Sequence, residues 1–70
     1  MAEPITITSE FIKLDSLLKF SALVGSGGEA KTVIADGLVT VNGEVCLMRG
    51  KKIYPGVKVS FCGTELLVQR

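Results

Sequence analysis

Ser26-Gly27-Gly28-Glu29-Ala30-Lys31-Thr32-Val33-Ile34-Ala35-Asp36-Gly37 runs straight into Leu38-Val39-Thr40-Val41-Asn42-Gly43-Glu44-Val45-Cys46-Leu47, and the change of period inside this stretch decides the fold. Ser26 and Glu29 have the spacing of a capping box, in which the serine hydroxyl accepts from the Glu29 amide while the carboxylate reaches back to the Ser26 amide. Ala30, Val33 and Ile34 then form one helical stripe, and Gly37 after Asp36 is a left-handed stop. From Leu38 the period falls to two. Leu38–Val41 and Glu44–Leu47 flank Asn42-Gly43, which is the strongest short hairpin signal. A capped helix handing over to an antiparallel hairpin places the chain among α+β domains.

Toward the N-terminus, Phe11, Leu14, Leu17 and Leu18 recur at three- and four-residue spacing, which predicts a helix from about Leu14 to Phe20. Asp15 in its first turn and Lys19 near its end complement the dipole. Ile5 to Thr8 alternates and predicts a short strand. Toward the C-terminus, Arg49-Gly50-Lys51-Lys52 interrupts the strand pattern as a loop or bulge, Ile53 precedes the turn residues Tyr54-Pro55-Gly56, and Val57, Val59 and Phe61 alternate through a further strand. Gly63-Thr64 turns into a last strand, Glu65 to Gln69. The expected fold is two short helices packed on a small antiparallel sheet with a C-terminal β-meander, one domain over residues 1–70, acting as a monomer.

At 70 residues and 47% apolar content, a dense aliphatic core is feasible but little surface is left for a deep pocket. No run approaches the roughly 18 apolar residues of a membrane span, and Met1-Ala2-Glu3-Pro4 has neither a basic start nor an apolar run behind it, so a cytoplasmic protein without a signal peptide or membrane contact is expected. Cys46 and Cys62 read as two reduced thiols behaving as small apolar residues. The absence of histidine removes Ser-His and Cys-His pairs, and the scarcity of ligands argues against zinc. Neither catalysis nor a cofactor or metal is expected.

Net charge is only +1, but its distribution is uneven. Residues 1–48 carry three lysines against six acids, whereas residues 49–70 carry Arg49, Lys51, Lys52, Lys58 and Arg70 against Glu65 alone. Such asymmetry speaks of partners rather than of fold. Arg49, Lys51 and Lys52 repel one another, which is tolerable on a solvated loop and useful facing phosphates. Ser26, Gly27 and Gly28 open a helix whose free amides and positive dipole end attract anions. The glycines, costing about 1 kcal/mol each in helix propensity, let a polyanion approach closely, and Lys31 lies one turn along. Tyr54 reads as a partly buried tyrosine beside Pro55, with stacking on a base as the alternative.

Gly25 to Thr32 also resembles the phosphate loop G-x-x-x-x-G-K-[ST], with Ala30 where its last glycine belongs. Nucleotide-phosphate binding there is therefore one alternative, and a protein-interaction module without RNA is another.

Leu14-Asp15 with Leu18, Ser26 to Lys31, Gly37 to Glu44, Arg49 to Ile53 and Pro55-Gly56, in that order and spacing, resemble the RNA-binding domain of ribosomal protein S-four. More narrowly they are similar to its stand-alone bacterial members, the YaaA-like and YbcJ-like proteins. The likeness extends from Ile12 to Phe61. It implies an αL RNA-binding motif in which RNA lies across the start of the second helix and the adjoining basic loop. Carried over, the binding residues are Lys13, Lys19, Ser26, Gly27, Gly28, Lys31, Arg49, Gly50, Lys51 and Lys52. Many such domains carry an arginine where this chain has Gly27, and an acidic residue often follows the Pro-Gly turn where Val57-Lys58 stands here. The implied partner is structured RNA, ribosomal RNA or a ribosome precursor, read by phosphate and shape.

Overall fold

The computed structural model describes residues 2–70. In chain order the elements are β1 (Ala2–Thr6), β2 (Ile12–Lys13), α1 (Leu14–Phe20), α2 (Gly27–Ala35), β3 (Val39–Val41), β4 (Glu44–Val45), β5 (Lys52–Ile53), β6 (Lys58–Phe61) and β7 (Thr64–Gln69). Both helices fall where the periodicity puts them. The α+β architecture stands, but the sheet is mixed rather than purely antiparallel. Its five strands run β1-β7-β6-β3-β4, and β1 lies parallel to β7, with Ile5 opposite Val68. Alternation reports which face of a strand is buried and carries no information on strand direction. The first strand is also placed earlier than expected, at Ala2 to Thr6. Pro4, which has no amide to donate, is tolerated there because β1 is an edge strand.

The C-terminal half departs from a simple meander at one point. The β3–β4 and β6–β7 hairpins form, but β5 leaves the sheet and pairs with β2, so β6 sits directly against β3. The core is aliphatic. Leu14, Leu17 and Leu18 from α1, Ala30 and Ile34 from α2, and Val39, Ile53, Val59, Leu66 and Val68 from the strands are all buried.

Each helix end has a local cause. Ser26 accepts from the Glu29 amide at 3.2 Å. The α2 stop is a Schellman motif: the Gly37 amide donates to the Ile34 carbonyl and the Leu38 amide to the Val33 carbonyl, with Gly37 at φ 74°. Helix α1 ends in the same motif without a glycine, since Ala22 takes φ 63° and the Leu23 amide donates to the Leu18 carbonyl. Asn42 and Gly43 both have positive φ, as the hairpin signal requires. So do Cys62 (54°) and Gly63 (81°), which moves the last turn one residue upstream of Gly63-Thr64 and accounts for the exposure of Cys62. Ala22 and Cys62 thus hold a left-handed conformation that costs an L-residue about 1 kcal/mol relative to glycine. Ala22→Gly and Cys62→Gly are each expected to raise the melting temperature by roughly 4–8 °C, measured by thermal unfolding.

Candidate nucleic-acid interface

Phe11-Ile12-Lys13 and Lys52-Ile53-Tyr54 are mirror images in residue type, and the fold lays one antiparallel against the other. In the β2–β5 ladder Ile12 opposes Ile53 and Lys13 opposes Lys52. Ile53 is fully buried and Ile12 partly so, which leaves both lysines on the other, exposed face. Directly opposed like charges destabilise a ladder, so folding alone does not favour this pair. Beyond the ladder, Phe11 and Tyr54 bring their ring centroids within 5.8 Å. The Lys52 ammonium lies 5.0 Å from the Phe11 centroid, a cation–π contact that fixes one of the two lysines.

The loop that follows β4 is fixed by main-chain bonds. Lys13 stands at the N-cap of α1 and offers no side-chain cap. The Leu14 amide instead donates to the Lys51 carbonyl at 2.9 Å and the Asp15 amide to the Arg49 carbonyl at 3.1 Å. Asp15 accepts from the Ser16 amide, so three of the orphan donors of α1 are satisfied. A turn closed by the Lys51 amide on the Met48 carbonyl carries Arg49 and Gly50 at its tip. Arg49, Lys51 and Lys52 are exposed, and among the described residues the side-chain hydrogen bonds go to other groups. Four cations therefore gather around the start of α1.

The opening of α2 is reached along α1. Lys19, one turn after Asp15, extends past the start of α2, its Cδ 3.9 Å from where a Cβ would stand on Gly27. Lys31 is exposed one turn beyond Gly27, on the same helical face. The Gly27 and Gly28 amides, in the first turn, have no intrahelical acceptor. The Glu29 carboxylate turns back toward Gly25, with Oε2 3.7 Å from a Cβ placed there. The return bond to the Ser26 amide, the second half of the expected capping box, is not among the side-chain hydrogen bonds of the described residues. Thr32 donates its hydroxyl to the Gly28 carbonyl inside the helix. Helix α1 rather than a strand precedes Gly25. Both features are unlike a phosphate loop, whose threonine faces a metal ion and whose turn follows a parallel strand.

Residues 5–69 match the family model of the S4 domain. The chain belongs to the S4 domain family. "Probable ribosome maturation protein RlbA" of Bacillus subtilis is 41% identical over 63 residues, covering 90% of this chain and 89% of that protein. YbcJ of Escherichia coli is 40% identical over 57 residues, 81% of each chain. The solution structure of E. coli YbcJ, described as revealing an αL motif involved in RNA-binding, superposes with a TM-score of 0.75 at 32% identity, over 100% of this chain and 90% of that one. The expected αL architecture is therefore the fold of this S4 domain.

Within the S4 fold, periodicity puts Phe11 on the first helical stripe, and Tyr54 is expected to be partly buried beside Pro55. Both belong instead to the β2–β5 cluster, with Tyr54 44% exposed. The signal available was the palindromic Phe-Ile-Lys and Lys-Ile-Tyr pair. Two-residue strands fall below the length at which alternation registers.

Proposed function

We propose that this S4 domain is a non-enzymatic, cytoplasmic RNA-binding protein. It holds structured RNA, ribosomal RNA or a ribosome precursor, by phosphate and shape contacts, as a monomer. The observation that carries the reading is the register that sets Lys13 against Lys52 beside Arg49 and Lys51. A fold that opposes two lysines on a two-residue ladder accepts a cost that a bound polyanion would offset, and local rules are broken chiefly at functional sites. Lys19, Ser26, Gly27, Gly28 and Lys31 extend the same site along α1 to the amides of α2, and Gly50 sits at the tip of the cationic turn. The names of the relatives, one for ribosome maturation and one for RNA binding, support this partner.

An RNA duplex hides its base edges in a deep groove and offers phosphates and 2′-hydroxyls, which suits exposed ammonium and guanidinium groups. With about four phosphate contacts, log affinity falls with log salt at a slope of roughly −3 to −4. A titration of a fluorescent ribosomal RNA hairpin at several salt concentrations measures that slope. A slope near zero, or binding that ATP with magnesium displaces, would sink the proposal. Binding of a protein partner that survives Lys51→Ala with Lys52→Ala unchanged would favour an interaction module instead.

A further inference from the structure

The cationic cluster has an apolar neighbour that phosphate contacts leave unexplained. Val45 at the end of β4, and Leu47 and Met48 between β4 and the Arg49 turn, are 58%, 63% and 66% exposed. With Tyr54 they line an open cleft of about 620 Å³ whose charged lining is Lys51, Lys52 and Glu44. Its volume lies in the range of small-ligand sites, roughly 300–1,000 Å³. Exposed apolar side chains this close together on so small a chain mark a contact surface.

Resting on the RNA-binding reading above, we propose that this cleft receives one unpaired nucleotide of the bound RNA. Its base would lie against Tyr54, Leu47 and Met48, and its flanking phosphates would meet Lys51 and Lys52. The charge arrangement selects this occupant. Two cations against the single carboxylate of Glu44 leave this hollow net positive, and with its apolar and aromatic wall it matches a nucleotide, which has an anionic backbone and a flat face that stacks on any aromatic ring. The lysines would repel a basic peptide, and the apolar lining gives a fully paired duplex nothing to contact. The domain thereby distinguishes a helix carrying a bulge from an uninterrupted one.

The test compares two RNA hairpins with identical stems, one fully paired and one with a single bulged 2-aminopurine, by anisotropy and by 2-aminopurine emission. The wild-type protein is expected to bind the bulged hairpin about tenfold more tightly, within the span of one base–aromatic stack, and to change its emission. Tyr54→Ala, and separately the double variant Leu47→Ser with Met48→Ser, should reduce the preference to within about twofold, the double variant leaving paired-hairpin affinity and salt slope unchanged. Leu47 and Met48 are exposed, so that double variant keeps the core intact. Equal wild-type affinity for both hairpins overturns the inference alone and leaves the cleft to a protein segment. A preference that persists in both variants overturns it too. Failure to bind either hairpin overturns this inference together with the reading it rests on.

Discussion

Replacing Arg49, Lys51 and Lys52 together by alanine is expected to weaken RNA binding by roughly two to three orders of magnitude at about 0.1 M salt and to leave the fold standing. Each phosphate contact adds about 0.9 to the slope of log affinity against log salt, so three lost contacts flatten it by nearly 3. At tenfold dilution from the 1 M reference, that change is itself about 2.7 decades of affinity. The deficit shrinks as salt rises, to less than one decade at about 0.5 M. A lost apolar contact would show no such convergence. The fold survives because α1 is capped by the carbonyls of Arg49 and Lys51, at 3.1 and 2.9 Å from the amides they accept. Alanine keeps both atoms. Removing Lys52 also relieves its opposition to Lys13, so circular dichroism and thermal melting should be unchanged or slightly improved. Affinity that stays within threefold of wild type at low salt would mean that these side chains do not face the RNA.

The separation between what the sequence made legible and what it did not follows the range of each interaction. Helices α1 and α2 are written in contacts three and four residues apart, Ser26 and Gly37 act on their immediate neighbours, and Asn42-Gly43 sets a local turn. These features were readable. The parallel pairing of Ala2–Thr6 with Glu65–Gln69 joins the two ends of the chain, and nothing within either strand encodes the other's direction. The departure of Lys52-Ile53 from the sheet to meet Ile12-Lys13 is equally non-local. The cationic residues were legible by charge alone. What charge could not supply is why they converge, namely the Arg49 and Lys51 carbonyls bound to the first amides of α1. A glycine marks a left-handed stop in sequence. Ala22 and Cys62 take the same conformation in a helix stop and a hairpin turn and leave no such mark.

Besides those main-chain bonds, one buried side chain holds the cationic strand to the core, and removing it has the second large effect. Ile53→Ala is expected to cost about 2–5 kcal/mol, the range for truncating a buried aliphatic residue. The protein's whole stability is roughly 4–10 kcal/mol at its length, so the urea midpoint should fall by about half at the middle of both ranges. Ile53 is fully buried and its β5 neighbour Lys52 is exposed, so the same two-residue strand joins the core to the cationic face. Loss of its anchor should release Lys52 from Lys13 and loosen the Arg49 turn as well. RNA affinity should therefore drop by more than the unfolded fraction explains. Leu66→Ala supplies the contrast. Leu66 is equally buried but lies on β7, whose partners are β1 and β6. It should lose comparable stability, while its folded fraction binds RNA as the wild type does. Ile53→Val should cost only about 0.5–1.5 kcal/mol and preserve binding. If affinities corrected for folded fraction were the same for Ile53→Ala and Leu66→Ala, the β2–β5 ladder would not be what positions the cations.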